Sequence, residues 1–197
     1  MIRILTFILT AILLFNDSLG QSLELKSKLN KIFLQLPIDT SLTALINAAN
    51  SDTTIKKNSN TLINNPEYFT GWITRNDQFN IPPESYRIEI FTSPGYAIGG
   101  LVMDSILIIM LNAQYGDRLT RKIKKQYISL ITNFKNDFLK TQKFTIHADP
   151  GKIGEGYNFY LLKEDKIPYL TISLTYGDCT GKYYSIHICY NRIGKWD

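Results

Sequence analysis

Cysteine, histidine and tryptophan occur only twice each in this chain of 197 residues, and methionine three times. Two cysteines are too few for a small fold that is held together by disulfides, and no glycine period indicates a collagen-like fibre. Hydrophobic residues make up 44% of the sequence and charged residues 20%, which excludes an intrinsically disordered chain. The composition therefore predicts a globular protein with a sizeable core.

Motifs for catalysis and for cofactor binding are absent as well. The sequence has no Gly-x-Ser-x-Gly, no Cys-x-x-Cys and no EF-hand pattern. The segment Gly154-Glu155-Gly156 is not a phosphate loop, since it lacks the strand before and the helix after that such a loop needs. We therefore expect no cofactor, and the sequence favours a protein without catalytic activity.

Long apolar runs are confined to the beginning of the chain. Residues 4–15 follow one positive charge and precede the small residues Ser18 and Gly20, which is the layout of a secretory signal. A helix of this length rises only ~18 Å, too little for a hydrocarbon core of ~30 Å. We therefore predict a signal peptide over residues 1–20, a single domain over residues 21–197, and a periplasmic or extracellular location.

The helical signals lie in the first third and in the middle of the chain. Apolar spacing predicts a helix from Ser22 to about Leu36, and Asp39 is a candidate cap for a shorter second helix. Residues 50–66 are polar and without period, which indicates a loop. The most regular apolar stripe predicts a long helix from Asp117 to about Lys140.

Strand signals surround that helix. Alternating or continuous apolar residues predict strands over 68–74, 86–92, 106–111, 144–147, 157–162, 169–176 and 183–190. The run 106–111 is apolar on both faces, which indicates a central strand that is covered on both sides. The short connections between the last four strands favour antiparallel pairing. We therefore predict an α+β fold in which a mainly antiparallel sheet packs against one long helix and two N-terminal helices.

Histidine and cysteine offer the nearest approach to a reactive site. His147 and Asp149 are two residues apart on one predicted strand, and His187 and Cys189 on another. In a four-strand meander these would be the outer strands, so we predict no metal site. If Cys179 lies in the loop between the last two strands, it is over ~20 Å from Cys189 on the return strand. A disulfide needs Cα atoms within ~7 Å, so this geometry argues against a bond between the two cysteines.

Two surfaces are candidates for binding. The last two strands present hydroxyl-bearing residues on one face and apolar residues on the other, and such a face suits recognition or plain solvation. The start of the long helix carries Arg118, Arg121, Lys122, Lys124 and Lys125, which indicates a docking patch for an anionic surface or a solvated helix face. The candidate binding residues are Arg118, Arg121, Lys122, Lys125, Tyr169, Thr171, Ser173, Tyr183, Ser185 and His187.

The net charge of +5 and the expected export narrow the class of partner. The leading hypothesis is an exported, non-catalytic binding module whose partner is a protein or an anionic component of the cell envelope. Export argues against nucleic acid as the partner, and no transmembrane segment is expected after removal of the signal. The alternatives are a secreted hydrolase that uses His147 or His187 with a carboxylate or Cys189, and a carrier of an apolar ligand held between helices and sheet.

Overall fold

The computed structural model describes residues 23–58, 68–93, 106–148, 152–177 and 183–193. The expected signal peptide over residues 1–20, Asp149 and Cys179 lie outside these ranges. The described residues form an antiparallel sheet of eight strands and three helices, so the α+β class and the antiparallel sheet are confirmed.

The first helix, α1, is described over residues 23–32 and ends earlier than the sequence pattern predicts. Leu34 and Gln35 adopt left-handed backbone angles, with φ of 60° and 61°. Pro37 disfavours helical geometry at the residue before it, so the chain leaves the helix within the preceding turn. The second helix, α2, spans Leu42–Ser51 and is capped by the hydroxyl of Ser41, not by Asp39.

The eight strands are numbered in chain order. They are β1 (Ile55–Lys57), β2 (Tyr68–Ile73), β3 (Ser85–Ser93), β4 (Ile106–Gly116), β5 (Lys140–Ala148), β6 (Lys152–Tyr160), β7 (Leu170–Tyr176) and β8 (Tyr183–Ile193). All except β1 correspond to strands that the sequence predicts. The short strand β1 falls in the segment predicted as a loop, and it forms by pairing Ile55 with Ile73 of β2.

The sheet has the strand order β1-β2-β3-β4-β8-β7-β6-β5, so two four-stranded meanders meet where β4 pairs with β8. The chain therefore passes from the centre of the sheet after β4 to the far edge at β5. A 3₁₀ turn over Asp117–Leu119 and helix α3 (Thr120–Lys135) make this connection. A helix of 16 residues rises about 24 Å, which matches four strand spacings of about 19 Å in total.

Helix α3 is shorter than the helix predicted from Asp117 to about Lys140, so one long helix is not confirmed. Lys140 pairs with Tyr160 as the first residue of β5, and this pairing takes the end of the expected helix into the sheet. The predicted apolar stripe is buried from Ile123 to Phe134, but Leu119 lies in the 3₁₀ turn and is 40% exposed.

One face of the sheet supplies the core. Odd-numbered residues of β4 and even-numbered residues of β3, β7 and β8 pack with buried residues of all three helices in a single apolar cluster. The ring of Phe33, just after α1, packs against the ring of Tyr190, with 6.0 Å between the ring centres. The hydroxyl of Tyr127 on α3 donates a hydrogen bond to the carbonyl of Glu155 on β6. We call this side of the sheet the helix face, and none of the described helices is long and apolar enough to cross a membrane.

The opposite side is called the open face, because the described helices all pack on the helix face. The described helices cover only the helix face of the strand predicted at 106–111, although Ile106 on the open face is also buried. Ile108 and Met110 of β4 point to the open face and are only half-buried, whereas Leu107, Ile109 and Leu111 are fully buried on the helix face.

Candidate functional site

The open face carries a row of polar and aromatic residues that crosses seven of the eight strands. Directly paired residues of antiparallel strands point to the same side, so the pairing register defines the row. Its members are Trp72, Arg87, Asn112, His187, Ser173, Gly156 and Phe144. Seven strands thus place their side chains in line, with aromatic rings near both ends and polar groups between them.

Two hydroxyl groups of β7 on this face are buried although no described helix covers them. Ser173 is 6% exposed and Thr175 is 3% exposed. The hydroxyl of Thr175 lies 3.2 Å from Nε2 of His187, and the ring of Phe144 lies over Gly156 beside Ser173. The floor of the open face therefore consists of small residues on β6 and β7, between an imidazole on one side and an aromatic ring on the other.

Asn112 lies in the middle of the row, between Arg87 of β3 and His187 of β8. Its side-chain oxygen is shielded from solvent and has no hydrogen-bond partner among the described residues. A buried acceptor without a donor costs about 1–3 kcal/mol. The position of this oxygen therefore adds nothing to stability, and a donor from a bound molecule reaches it only after the Asn112 side chain or its neighbours move aside.

Formal charge on the strands around Asn112 is neutralised within β3. Arg87 Nη2 lies 2.6 Å from Glu89 Oε1, and the Glu89 side chain is only 14% exposed. The open-face residues of β4 and β7 are uncharged. The centre of the open face therefore offers hydroxyl, amide and imidazole groups, and the one ion pair beside them lies within β3.

Aromatic rings border the same surface. The indole of Trp72 is 43% exposed on β2, and the rings of Tyr68 and Phe91 contact each other at 6.1 Å. The ammonium of Lys140 on β5 lies 4.4 Å from the centre of the Tyr160 ring on β6. Aromatic groups of this kind give contact area at a small loss of side-chain entropy, as in many recognition surfaces.

The structure brings together most of the predicted hydroxyl-face residues. Thr171, Ser173, Ser185 and His187 lie on the open face, and so does Tyr183 at the start of β8. Thr171 donates a hydrogen bond to Asn158 across the β6–β7 ladder. The sequence pattern groups these residues correctly because strand side chains alternate between the two faces.

Tyr169 does not belong to this group, contrary to the prediction. It precedes the first residue of β7, and its hydroxyl lies 3.3 Å from the hydroxyl of Tyr190 on the helix face. Its ring also contacts the ring of Phe138 at 6.1 Å. The side chain turns toward the helices because alternation along β7 begins only with Leu170.

The sequence analysis missed Asn112, Gln114 and Arg87. The predicted strand ended at Leu111, yet β4 continues to Gly116. The alternation of Asn112 and Gln114 with the buried Ala113 and Tyr115 was the local signal for this extension. Their position beside β8 has no such signal, because it depends on pairing between segments that are distant in sequence.

The two histidines lie far apart, as the sequence predicts. His147 is on the edge strand β5 and pairs with Ile153, whereas His187 is on β8 with two strands between them. Three strand spacings separate the two strands by about 14 Å, and His187 lies further along β8 than Tyr184, the residue level with His147. Within the described ranges, no group of three or more His, Cys, Asp or Glu residues could hold a metal ion.

Cys189 lies on the open face beside Thr171 and Met110 and carries a free thiol. Burial raises the pKa of this thiol to about 12. The group is therefore protonated at neutral pH, whereas a nucleophilic cysteine needs a lowered pKa. Its sulfur donates to the side-chain oxygen of Asn191 at 3.4 Å, which is the contact of a structural residue.

The second candidate surface is on α3, and we call it the basic patch. It consists of Arg118, Arg121, Lys122, Lys124 and Lys125, all exposed. Over the described part of the chain, none of the five forms an ion pair with an acidic side chain. Arg118 lies in the 3₁₀ turn before α3, and the other four cations lie in the first two turns of the helix.

A third feature, which we call the apolar groove, lies at the end of the helix layer, and Lys26, Asp39 and Asp137 line it beside its apolar residues. Its volume is about 670 Å³, and α1, the residues after α3 and the segment after β6 form its walls. Leu25, Leu29 and Phe138 are among its apolar lining residues, and Leu139 at its rim is 64% exposed.

Comparison with known proteins gives no assignment. The chain matches no protein family, no curated protein and no solved structure.

Proposed function

We propose that the protein is an exported, non-catalytic binding module that presents its open face to a partner. The partner class is a protein or a polymer of the cell envelope, recognised through uncharged hydrogen-bonding groups. The small floor residues of β6 and β7 and the aromatic rings near the ends of the row support this proposal. Export itself rests on the N-terminal sequence pattern alone.

The unpartnered side-chain oxygen of Asn112 carries the proposal. A protein under selection for stability alone gains by replacing a shielded polar group that lacks a partner. Retention of this amide in the middle of a polar row is accounted for if the side chain of Asn112 turns outward on binding and accepts a hydrogen bond from a hydroxyl or amide N–H of the partner. Arg87 and His187, its neighbours on either side, would then contact adjacent groups of the same partner.

The test compares binding with stability in one variant. Wild-type protein is immobilised, its partner is captured from an envelope extract and identified, and its affinity is measured. We expect Asn112→Ala to weaken this binding at least about tenfold, because one hydrogen bond from a shielded site is lost, without lowering the urea midpoint. Unchanged affinity, or a loss of affinity that only follows unfolding, would contradict the proposal.

A matched pair of variants locates the surface. Ser185→Arg adds a long side chain to the open face, and Thr43→Arg adds the same charge to the exposed side of α2. We expect the first to abolish capture of the partner and the second to leave it unchanged. Equal effects of the two substitutions would exclude the open face as the binding surface.

The apolar groove favours a second candidate function, the carriage of an apolar ligand. Its leucine and phenylalanine lining and its volume of about 670 Å³ fit a chain of methylene groups. Titration with a fluorescent fatty acid should saturate at one site and should fail in Leu161→Arg. Non-saturable binding in wild type would exclude this function and leave the open-face proposal unaffected.

A further inference from the structure

The basic patch is not explained by the stability of α3. The first turn of α3 has no acidic residue, and the helix begins within the run of cations. Cations near a helix N-terminus oppose the helix dipole. The like charges of Arg121 and Lys125 are four residues apart, which is also destabilising. Stability of the helix therefore argues against this arrangement.

An exposed aliphatic residue lies among the cations. Ile128 is 59% exposed, four residues after Lys124 and three after Lys125, so all three occupy one side of the helix. Leu119 at the beginning of the patch is 40% exposed. Leu119 precedes the helix and lies in line with its buried stripe, so the outer side of α3 combines fixed positive charge with one protruding apolar side chain, that of Ile128.

This combination fits the headgroup layer of a lipid bilayer better than a protein surface. Lysine is depleted in the cores of protein interfaces, and three of the five cations are lysines. In a headgroup layer, Lys and Arg meet phosphate groups while aliphatic side chains enter the boundary with the acyl chains. A single isoleucine limits the depth of insertion, so attachment depends mainly on charge.

We propose that the outer side of α3 docks the protein on a bilayer that contains anionic lipids. The proposal does not rest on the open face. Because α3 packs against the helix face, its outer side points away from the sheet. A protein docked through α3 would therefore direct its open face away from the bilayer.

The test uses sedimentation with vesicles of phosphatidylcholine alone or with about 30 mol% phosphatidylglycerol. The full chain and a preparation that begins at Gln21 are measured side by side, which separates the patch from the apolar N-terminal segment. We expect both to bind only the anionic vesicles, with affinity falling as salt rises from about 0.05 M to about 0.5 M. Binding by the full chain alone, or equal binding to neutral vesicles, would overturn the proposal.

Charge-reversal variants localise the contact. The triple variant Arg121→Glu, Lys122→Glu, Lys125→Glu should lose roughly a hundredfold in affinity for anionic vesicles. The control Lys31→Glu, Lys163→Glu, Lys166→Glu makes the same change in net charge at exposed residues elsewhere and should lose far less. Equal losses would show that net charge, not the patch, determines binding, and the proposal would be wrong.

Ile128→Ser separates insertion from charge alone. We expect roughly a tenfold loss of affinity, because the apolar area of this side chain would remain in water. If Ile128→Ser binds anionic vesicles as tightly as wild type, the contact is purely electrostatic and the proposed role of Ile128 is wrong. Binding to an acidic protein, with no binding to either vesicle, would replace the bilayer as the partner.

Discussion

The helix face and the open face are built from the same strands, yet they differ in what they do for the protein. Along β4, Leu107, Ile109 and Leu111 are completely buried under helices, while the alternating Met110 and Asn112 are half-buried and pack against no described helix. Apolar burial on the helix face stabilises the fold. Shielded polar groups on the open face contribute little to stability, which leaves that face open to selection for binding.

The largest expected effect on the free energy of unfolding comes from β4, where two neighbouring residues point to opposite faces. Leu111→Ala should destabilise the protein by about 3 kcal/mol, since it leaves a cavity beneath the helices. Met110→Ala on the open face should cost less than about 1 kcal/mol, because that side chain is only half-buried. Urea unfolding at pH 7 measures both, and similar costs would mean that the open face is as tightly packed as the helix face.

Thiol chemistry tests how well the open face shields its groups. With a pKa of about 12, Cys189 at pH 8 has about a thousandth of the thiolate of an unshifted thiol. A more basic thiolate is also more nucleophilic, which offsets part of the loss in reaction rate. We therefore expect Cys189 to react with a disulfide reagent about fiftyfold more slowly in the folded protein than in the unfolded protein. The measurement uses Cys179→Ser, to leave one thiol, and an aromatic disulfide reagent. Equal rates would show a solvated thiol and revive the alternative of a nucleophilic Cys189.

A polar contact within the helix layer should have an intermediate effect. Lys28 of α1 donates hydrogen bonds to the carboxylate of Asp137, whose side chain is 8% exposed. Lys28→Met leaves that carboxylate without its cation, and we expect a loss of about 1.5 kcal/mol. Thermal unfolding at pH 7 measures the loss, and Lys31→Met is the exposed control on the same helix.

The same pair predicts a dependence on pH. Burial alone would lower the pKa of Lys28, but hydrogen bonds to Asp137 and Glu24 outweigh it and raise the pKa above 10.5. Because the folded-state pKa exceeds the unfolded one, this stabilisation is complete below pH 10.5 and is lost as the pH rises through the folded value. Wild type should therefore lose stability relative to Lys28→Met above that pH, and parallel stability curves would contradict the assignment.

The smallest effect on stability is expected when a glycine on the open face is replaced by alanine. Gly156→Ala would displace the ring of Phe144 on the edge strand, at an expected cost of about 1 kcal/mol, because that ring can move toward solvent. Gly71→Ala on the helix face meets Ile55 and Phe69 and should cost about 2 kcal/mol. If Gly156→Ala costs more, the floor of the open face is more rigid than we infer.

Local pattern predicted most of the fold. Alternating or continuous apolar residues identified seven of the strands, and the apolar stripe of α3 identified the side that packs on the sheet. Alternation also grouped Thr171 with Ser173, and Ser185 with His187, on one face of their strands. It failed for β1, which has only three residues and exists through its pairing with β2.

The candidate site could be predicted only in part. The sequence indicated that hydroxyl groups of β7 and β8 share a face, but it gave no reason to place Asn112 beside His187. These residues are 75 positions apart, and their contact arises because β8 returns to pair with β4 in the centre of the sheet. Tyr169 was assigned to the wrong face since its side chain lies just outside the regular alternation.

The sequence by itself determined which side chains avoid water, because the periods of strand and helix are local properties of the chain. It also determined where positive charge is concentrated. Only the tertiary structure decided that the two meanders join through β4 and β8, and that all three helices lie on one side. Pairings between distant segments leave no periodic trace in either segment, so the position of Asn112 in the polar row exists only in the folded molecule.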